Sequence, residues 1–157
     1  MAKVLVVYYS RTGNTEAMAT AIAKAVKEEG LDVVCKKVKD VTVDELLEAD
    51  GLIFGSPTYY GTMAASVKRL LDASVKHHGK LDGKAGAAFA SAANTGQETT
   101  IFSILQALLI HGMIVQGDPE ENHYGVTSIE KPDEQVLKNC QRFGQRFATL
   151  VKQVASK

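Results

Sequence analysis

Cysteine, charge of one sign and long apolar runs are all scarce in this chain of 157 residues. Its two cysteines, Cys35 and Cys140, stand far apart with no metal-ligand spacing. They supply neither a disulfide framework nor a thiolate metal site, and two reduced thiols in a cytoplasmic protein are expected. The 18 basic residues equal the 18 acidic ones, which removes any electrostatic reason to expect nucleic acid or an anionic membrane as partner. No apolar run is long enough for a bilayer span. Met-Ala-Lys leads directly into the first strand pattern, leaving no room for a signal peptide. A chain of this length can bury roughly 68–70% of its unfolded surface as one domain, without a covalent or metal staple.

What is present is a chain organised around Val4 to Thr15. Val4 to Tyr9 is a short continuous apolar run, half of it valine, that suits a strand buried on both faces. After it, Ser10, Arg11, Thr12, Gly13, Asn14 and Thr15 form a turn rich in hydroxyls. A helix follows, with Ala17, Met18, Ala21, Ile22, Ala25 and Val26 on one face. Free backbone N–H groups at the positive end of a helix make an anion site, and phosphate is its usual occupant. The turn lacks the Gly-Lys-Ser/Thr ending of a nucleoside triphosphate loop, a Gly-x-Gly-x-x-Gly fingerprint and a nucleophilic cysteine. A single terminal phosphate is therefore predicted, held by neutral donors with Arg11 as the one nearby cation. Serine and threonine also cap helices without a ligand, but four cap-type residues exceed what one helix end requires.

Further along, Asp32 to Val38 reads as a polar edge strand, and Thr42 to Ala49 as a short helix with Thr42 and Glu45 as its capping box. Gly51 to Gly55 reads as a buried strand ending in a second glycine- and hydroxyl-rich loop, Ser56 to Met63, and a helix follows over Ala64 to Ser74. The connection Lys76 to Lys84 carries His77 and His78, read as solvated surface. Ala85 to Ser91 is a strand of small residues leading into a third polar loop, Ser91 to Gln97. Glu98 to His111 is a helix, Met113 to Gln116 a fifth strand, Asp118 to Pro132 a connection, and Asp133 to Val154 the last helix. This alternation predicts one doubly wound α/β domain over residues 1–157, a five-stranded parallel sheet of order 2-1-3-4-5 with helices on both faces. In that order the three unusual loops leave neighbouring strands at the switch point, where ligands bind. A receiver domain shares the architecture but needs carboxylates where this chain has Ser10 and Ser56.

Tyr9-Ser10-Arg11-Thr12-Gly13-Asn14-Thr15 resembles the phosphate loop of flavodoxins. Gly55-Ser56-Pro57-Thr58-Tyr59-Tyr60-Gly61-Thr62-Met63, Gly96-Gln97-Glu98-Thr99-Thr100-Ile101, Leu109-Ile110-His111-Gly112-Met113-Ile114-Val115 and Tyr124-Gly125 are similar to a narrower group. That group is the flavodoxin-like NAD(P)H:quinone oxidoreductases, also called tryptophan-repressor-binding-protein-like. The resemblance implies a flavodoxin-like fold and FMN. The phosphate would lie at Ser10 to Thr15, and the flavin ring between Pro57, Thr58, Tyr59, Tyr60 and Gly61 on one side and Ser91, Ala92, Ala93, Asn94, Thr95 and Gly96 on the other. Adjacent tyrosines there offer flat apolar surface for a ring. The resemblance further implies a two-electron, ping-pong transfer from NAD(P)H to a quinone, with the flavin carrying the chemistry, and a homo-oligomer, dimer or tetramer. The group usually has an arginine where this chain has Tyr59, and the first loop is closer to the one-electron carriers, which supply the alternative reading. The resemblance also brings His111 near a flavin. A helix from Glu98 to His111 spans roughly 20 Å away from the ligand face, so only a neighbouring subunit's flavin could be met. Otherwise His111 is a cation suited to a helix C-terminus.

Overall fold

The computed structural model describes residues 1–156. In chain order its main elements are β1 (Lys3–Tyr8), α1 (Asn14–Glu28), β2 (Asp32–Lys37), α2 (Glu45–Glu48), β3 (Gly51–Pro57), α3 (Ala65–Ala73), β4 (Ala85–Ala92), α4 (Gln97–Ile110), β5 (Ile114–Val115), β6 (Thr127–Ile129) and α5 (Glu134–Ala155). The sheet is parallel, in the order β2-β1-β3-β4-β5, as the alternating pattern predicts. Successive residues of a strand face opposite sides, so the valine-rich β1 feeds two cores at once. Leu5 and Val7 join Leu52, Phe54, Ala88 and Ala90 beneath α3 and α4. Val4 and Val6 join Ile53, Ala87 and Phe89 beneath α1 and α5. Each fully buried Leu, Ile or Phe in these layers contributes roughly 1.5–3 kcal/mol. The edge strand β2 is only half-buried, in keeping with its lysines.

Small residues set the spacing. Phe89 lies across Gly55, where a Cβ would fall inside the phenyl ring. In α5, a Cβ at Gly144 would stand 2.8 Å from Ala25 Cβ and 2.8 Å from the Ile22 carbonyl, so glycine lets α5 close on α1.

Several expectations are corrected. The fifth strand, expected over Met113 to Gln116, is only Ile114–Val115, paired with Ala85 and Gly86. The chain then leaves the sheet, and Asp118 is clamped by Arg142, through Nε at 2.7 Å and Nη2 at 2.9 Å. That guanidinium holds the Asp118 carboxyl well below the usual carboxylate range. The connection from Asp118 to Pro132 is not all loop. It returns at Gly125, where a Cβ would fall on the Ala88 carbonyl oxygen, and β6 pairs in parallel with the last residues of β4. Finally, His77 is no solvated residue. It is 4% exposed, with Nε2 2.8 Å from Asp44 Oδ1.

The expected capping box forms in part, Thr42 N–H donating to Glu45 Oε2 at 2.7 Å, but α2 is a single turn, shorter than predicted. α5 is capped by Asp133, whose Oδ1 accepts from Val136 N–H at 2.8 Å.

Candidate functional site: a cleft at the sheet switch point

A cleft of about 280 Å³ opens over the carboxyl ends of β1, β3 and β4. The β1–α1 loop contributes Arg11, Thr12, Asn14 and Thr15, the loop after β3 contributes Pro57, Thr58 and Tyr59, and the end of β4 contributes Ser91, Ala92 and Ala93. Ten of the sequence-predicted residues are thus brought together.

The first loop divides into scaffold and free donors. Gly13 has φ +99 and begins α1 without a side-chain cap. Ser10 Oγ accepts from Gly13 N–H at 3.1 Å and Glu16 N–H at 3.3 Å, so it shapes the loop from within. The buried Thr15 hydroxyl meets Ser91 Oγ at 2.8 Å and ties β1's loop to β4 below the cleft. The side chains of Thr12 and Asn14, and the backbone N–H groups of Asn14 and Thr15, have no partner among the described residues. Uncommitted donors at a helix N-terminus fit a phosphate ester.

The other two loops are fastened to each other. Thr58 N–H donates to the Ser91 carbonyl at 2.8 Å, and Thr100 Oγ1 donates to Thr58 Oγ1 at 3.0 Å and the Gly96 carbonyl at 2.8 Å. A Cβ at Gly96 would press on Thr58 Cγ2 at 3.0 Å and Gly61 Cα at 3.2 Å, and its φ of +89 suits glycine. Tyr59 and Thr62 exchange backbone bonds of 3.0 and 3.2 Å around Tyr60 and Gly61, both at positive φ. That is the pattern of a type I′ hairpin turn. It keeps Tyr59 in the cleft wall, 6.2 Å from Tyr9 in an edge-on pair, and leaves Tyr60 wholly in solvent. Burial and the neighbouring Tyr9 raise the Tyr59 phenol above its ordinary pKa, while Arg11 beside it opposes the shift. Asn94 and Thr95 are exposed and, with Tyr60, Gly61, Gly96, Ser10 and Gly13, lie outside the lining.

His111 sits at the far end of α4, 14 residues from the cleft end, or about 21 Å. It is 7% exposed, its Nε2 lies 2.7 Å from Ser74 Oγ, and its Nδ1 has no partner among the described residues. Burial first, then the nearby His78 and His77, lower its pKa. The ring is therefore poorly suited to the cationic role that a helix C-terminus favours.

Sequence reasoning misses Glu130. It lines the cleft beside Ala92 and Ala93, at the end of a strand whose existence no local pattern announces. Its φ of +58, a left-handed value on a glutamate, is the signal that only the structure provides. A small void of about 30 Å³ between α5 and the segment around Asp118 has room for a water and not for a cofactor.

One end of the cleft offers donors for a phosphate, the other a tyrosine wall for a flat ring, at the switch point of a doubly wound sheet. Such a cleft fits a mononucleotide, and the fold is that of a doubly wound α/β protein. The Flavodoxin family model matches residues 6–109, and the chain belongs to that family. It is 39% identical over 143 residues to an NAD(P)H dehydrogenase (quinone) of Sinorhizobium fredii, covering 76% of this chain and 72% of that protein. A flavodoxin of Clostridium saccharobutylicum is 35% identical over 161 residues, covering 97% and 99%. The solved structure of an archaeal flavodoxin superposes with a TM-score of 0.82 at 36% identity, covering 96% of this chain and 99% of that one. The protein is a flavodoxin-like flavoprotein, and its family implies FMN. No helix among the described residues is long and apolar enough to cross a membrane.

Proposed function

We propose that this protein is an FMN-dependent oxidoreductase that moves two electrons from NAD(P)H to a quinone in a ping-pong cycle, in a reducing, cytoplasmic setting suited to its two free thiols. The observation that carries the reading is the ring end of the cleft. Tyr59 is 36% exposed there, and no carboxylate stands between Thr58 and Met63 or between Ser91 and Gln97. The Sinorhizobium relative named for this activity supports it. FMN, when bound, would supply the two-electron hydride chemistry. Thr12, Asn14 and the N–H groups of Asn14 and Thr15 hold the phosphate, Arg11 lends charge, and Tyr59 with Tyr9 supports the ring. Bound Thr58, Ser91 and Thr100 keep the two ring loops at fixed separation. His111, turned inward to Ser74, takes no part within its own protomer.

Anaerobic mixing with NADH or NADPH, then with benzoquinone, tests the proposal. Rapid loss of the flavin absorbance and its return on adding quinone are expected, and released flavin should migrate as FMN in chromatography. A flavin that neither nicotinamide reduces would overturn it. The second reading, a one-electron carrier between proteins, is favoured by Glu130, which adds a carboxylate to the cleft.

A homo-oligomer, dimer or tetramer, completes the proposal. Between Glu98 and His111 the helix α4 has no charged residue, yet Phe102, Leu109 and Ile110 remain 38%, 58% and 73% exposed. An uncharged, apolar outer face on a chain of zero net charge suits a second copy of itself, with no net repulsion to overcome. Light scattering should give at least twice the chain mass, and Ile110→Asp should halve a dimer. A monomeric wild type at high micromolar concentration would remove the oligomer.

A further inference from the structure

We infer that Glu130 is a ligand-specificity residue whose carboxylate accepts hydrogen bonds from the polyol chain of the bound flavin. The inference rests on the FMN reading of the same cleft and deepens it.

FMN has three parts, and the cleft has three levels. The phosphate end is served by Thr12 and Asn14, and the ring end by Tyr59. Ser91 bridges the two ends, its hydroxyl meeting Thr15 of the phosphate loop and its carbonyl accepting from Thr58 N–H, and Glu130 is joined to the next residue, Ala92. The middle of the ligand is a run of hydroxyl groups, each a donor that loses water on entering the cleft and needs an acceptor in exchange. Three backbone acceptors at that level are already engaged. The Pro57 carbonyl accepts from Ser56 Oγ at 2.8 Å, the Ser91 carbonyl from Thr58 N–H at 2.8 Å, and the Ala92 carbonyl from Glu130 N–H at 2.7 Å. Ser91 Oγ is occupied by Thr15 at 2.8 Å. Ala92 and Ala93 bring no polar side-chain atom. Glu130 is the one carboxylate lining the cleft, and among the described residues it has neither an ion-pair partner nor a side-chain hydrogen bond.

The backbone holds it in place at a cost. Glu130 adopts φ +58, a region that non-glycine residues rarely occupy. The conformation is fixed on both sides, by its N–H on Ala92 and by Ser128 Oγ, from a buried residue, donating to its carbonyl at 3.0 Å. Strained residues that the surroundings over-determine cluster at ligand sites. Register does the rest, because the pairing of Ile129 with Ala92 sets the next residue beside the cleft's middle level.

The test compares three flavins on the flavin-free protein: FMN, riboflavin, which lacks the phosphate, and lumiflavin, which lacks both phosphate and polyol. Binding is read from quenching of flavin fluorescence, independently of turnover. Glu130→Gln and Glu130→Gly are the variants, the glycine leaving the positive φ unstrained so that a folding defect cannot imitate the effect. Glu130→Gly is expected to weaken FMN and riboflavin by a similar factor of about ten or more, the loss of a hydrogen bond to a charged group, and to leave lumiflavin unchanged. Glu130→Gln, which keeps an acceptor, should lose less. Equal weakening of lumiflavin, unchanged binding of FMN, or tighter FMN binding through relief of phosphate repulsion would each overturn the inference. A wild type that binds none of the three would instead overturn the flavin reading on which it rests.

Discussion

Replacing Thr12 and Asn14 together by alanine is expected to weaken FMN binding by two to four orders of magnitude while leaving the protein folded. Each lost bond to a charged acceptor is worth about 1.5–3 kcal/mol, and 1.4 kcal/mol is a factor of ten. These two side chains are the right ones because neither has a partner among the described residues, so the fold does not depend on them. Their neighbours behave differently. Ser10 closes the loop onto Gly13 and Glu16, and Thr15 is bonded to Ser91 beneath the floor, so alanine at either position should cost stability as well as affinity. Fluorescence titration with FMN and with riboflavin separates the cases. The double variant should lose FMN and keep the weaker riboflavin affinity, since riboflavin brings no phosphate. The difference should narrow below about pH 6, where a phosphate monoester dianion takes up a proton and becomes a monoanion. An unchanged FMN affinity, or equal loss of riboflavin, would move the phosphate away from this loop.

How far that site was legible in the sequence follows from the range of the interactions that build it. The phosphate loop is a local device, in which strand, turn and helix follow within twelve residues, so hydroxyls and glycine announce it directly. The sheet order was equally readable, because strand and helix periods alternate cleanly and β1 packs on both faces. What sequence reasoning could not divide was the loop itself, since Ser10, Thr12, Asn14 and Thr15 look alike until their partners are known. Ser91, which takes the Thr15 hydroxyl, lies 76 positions away. The adjacent tyrosines part for a similar reason. Positive φ at Tyr60 and Gly61 turns the chain tightly, and of the two rings only Tyr59 returns to the wall. β6 and Glu130 were hidden more deeply. Three residues, Thr127 to Ile129, carry no usable period, and they become a strand only because β5 ends after two residues and leaves the distal half of β4 unpaired. His77 is buried through Asp44, 33 positions away, which no local pattern records.

Titration of the holoprotein with dithionite is expected to pass between two absorption spectra through fixed isosbestic points, with no third spectrum at half reduction. The reduced ring carries negative charge, and fixed carboxylates around it would make the second electron costly. A unit charge about 10 Å away, at an effective dielectric of about 20, contributes roughly 1.7 kcal/mol, a little over tenfold. Several such charges separate the two electron steps widely, and one does not. The ring end here is walled by Tyr59 and Thr58, with Tyr9 packed edge-on against Tyr59 and no acidic residue in either ring loop, and the fold adds a single carboxylate to the cleft, Glu130, from β6 beside Ala92. The whole chain has zero formal net charge, which also denies it the long-range attraction that an acidic carrier exerts on a basic partner protein. Both terms favour transfer of electrons in pairs to a small acceptor. A third spectrum that grows to a major share at half reduction, together with no reduction by NADH or NADPH, would make the protein a one-electron carrier, with Glu130→Gln then expected to diminish that third species.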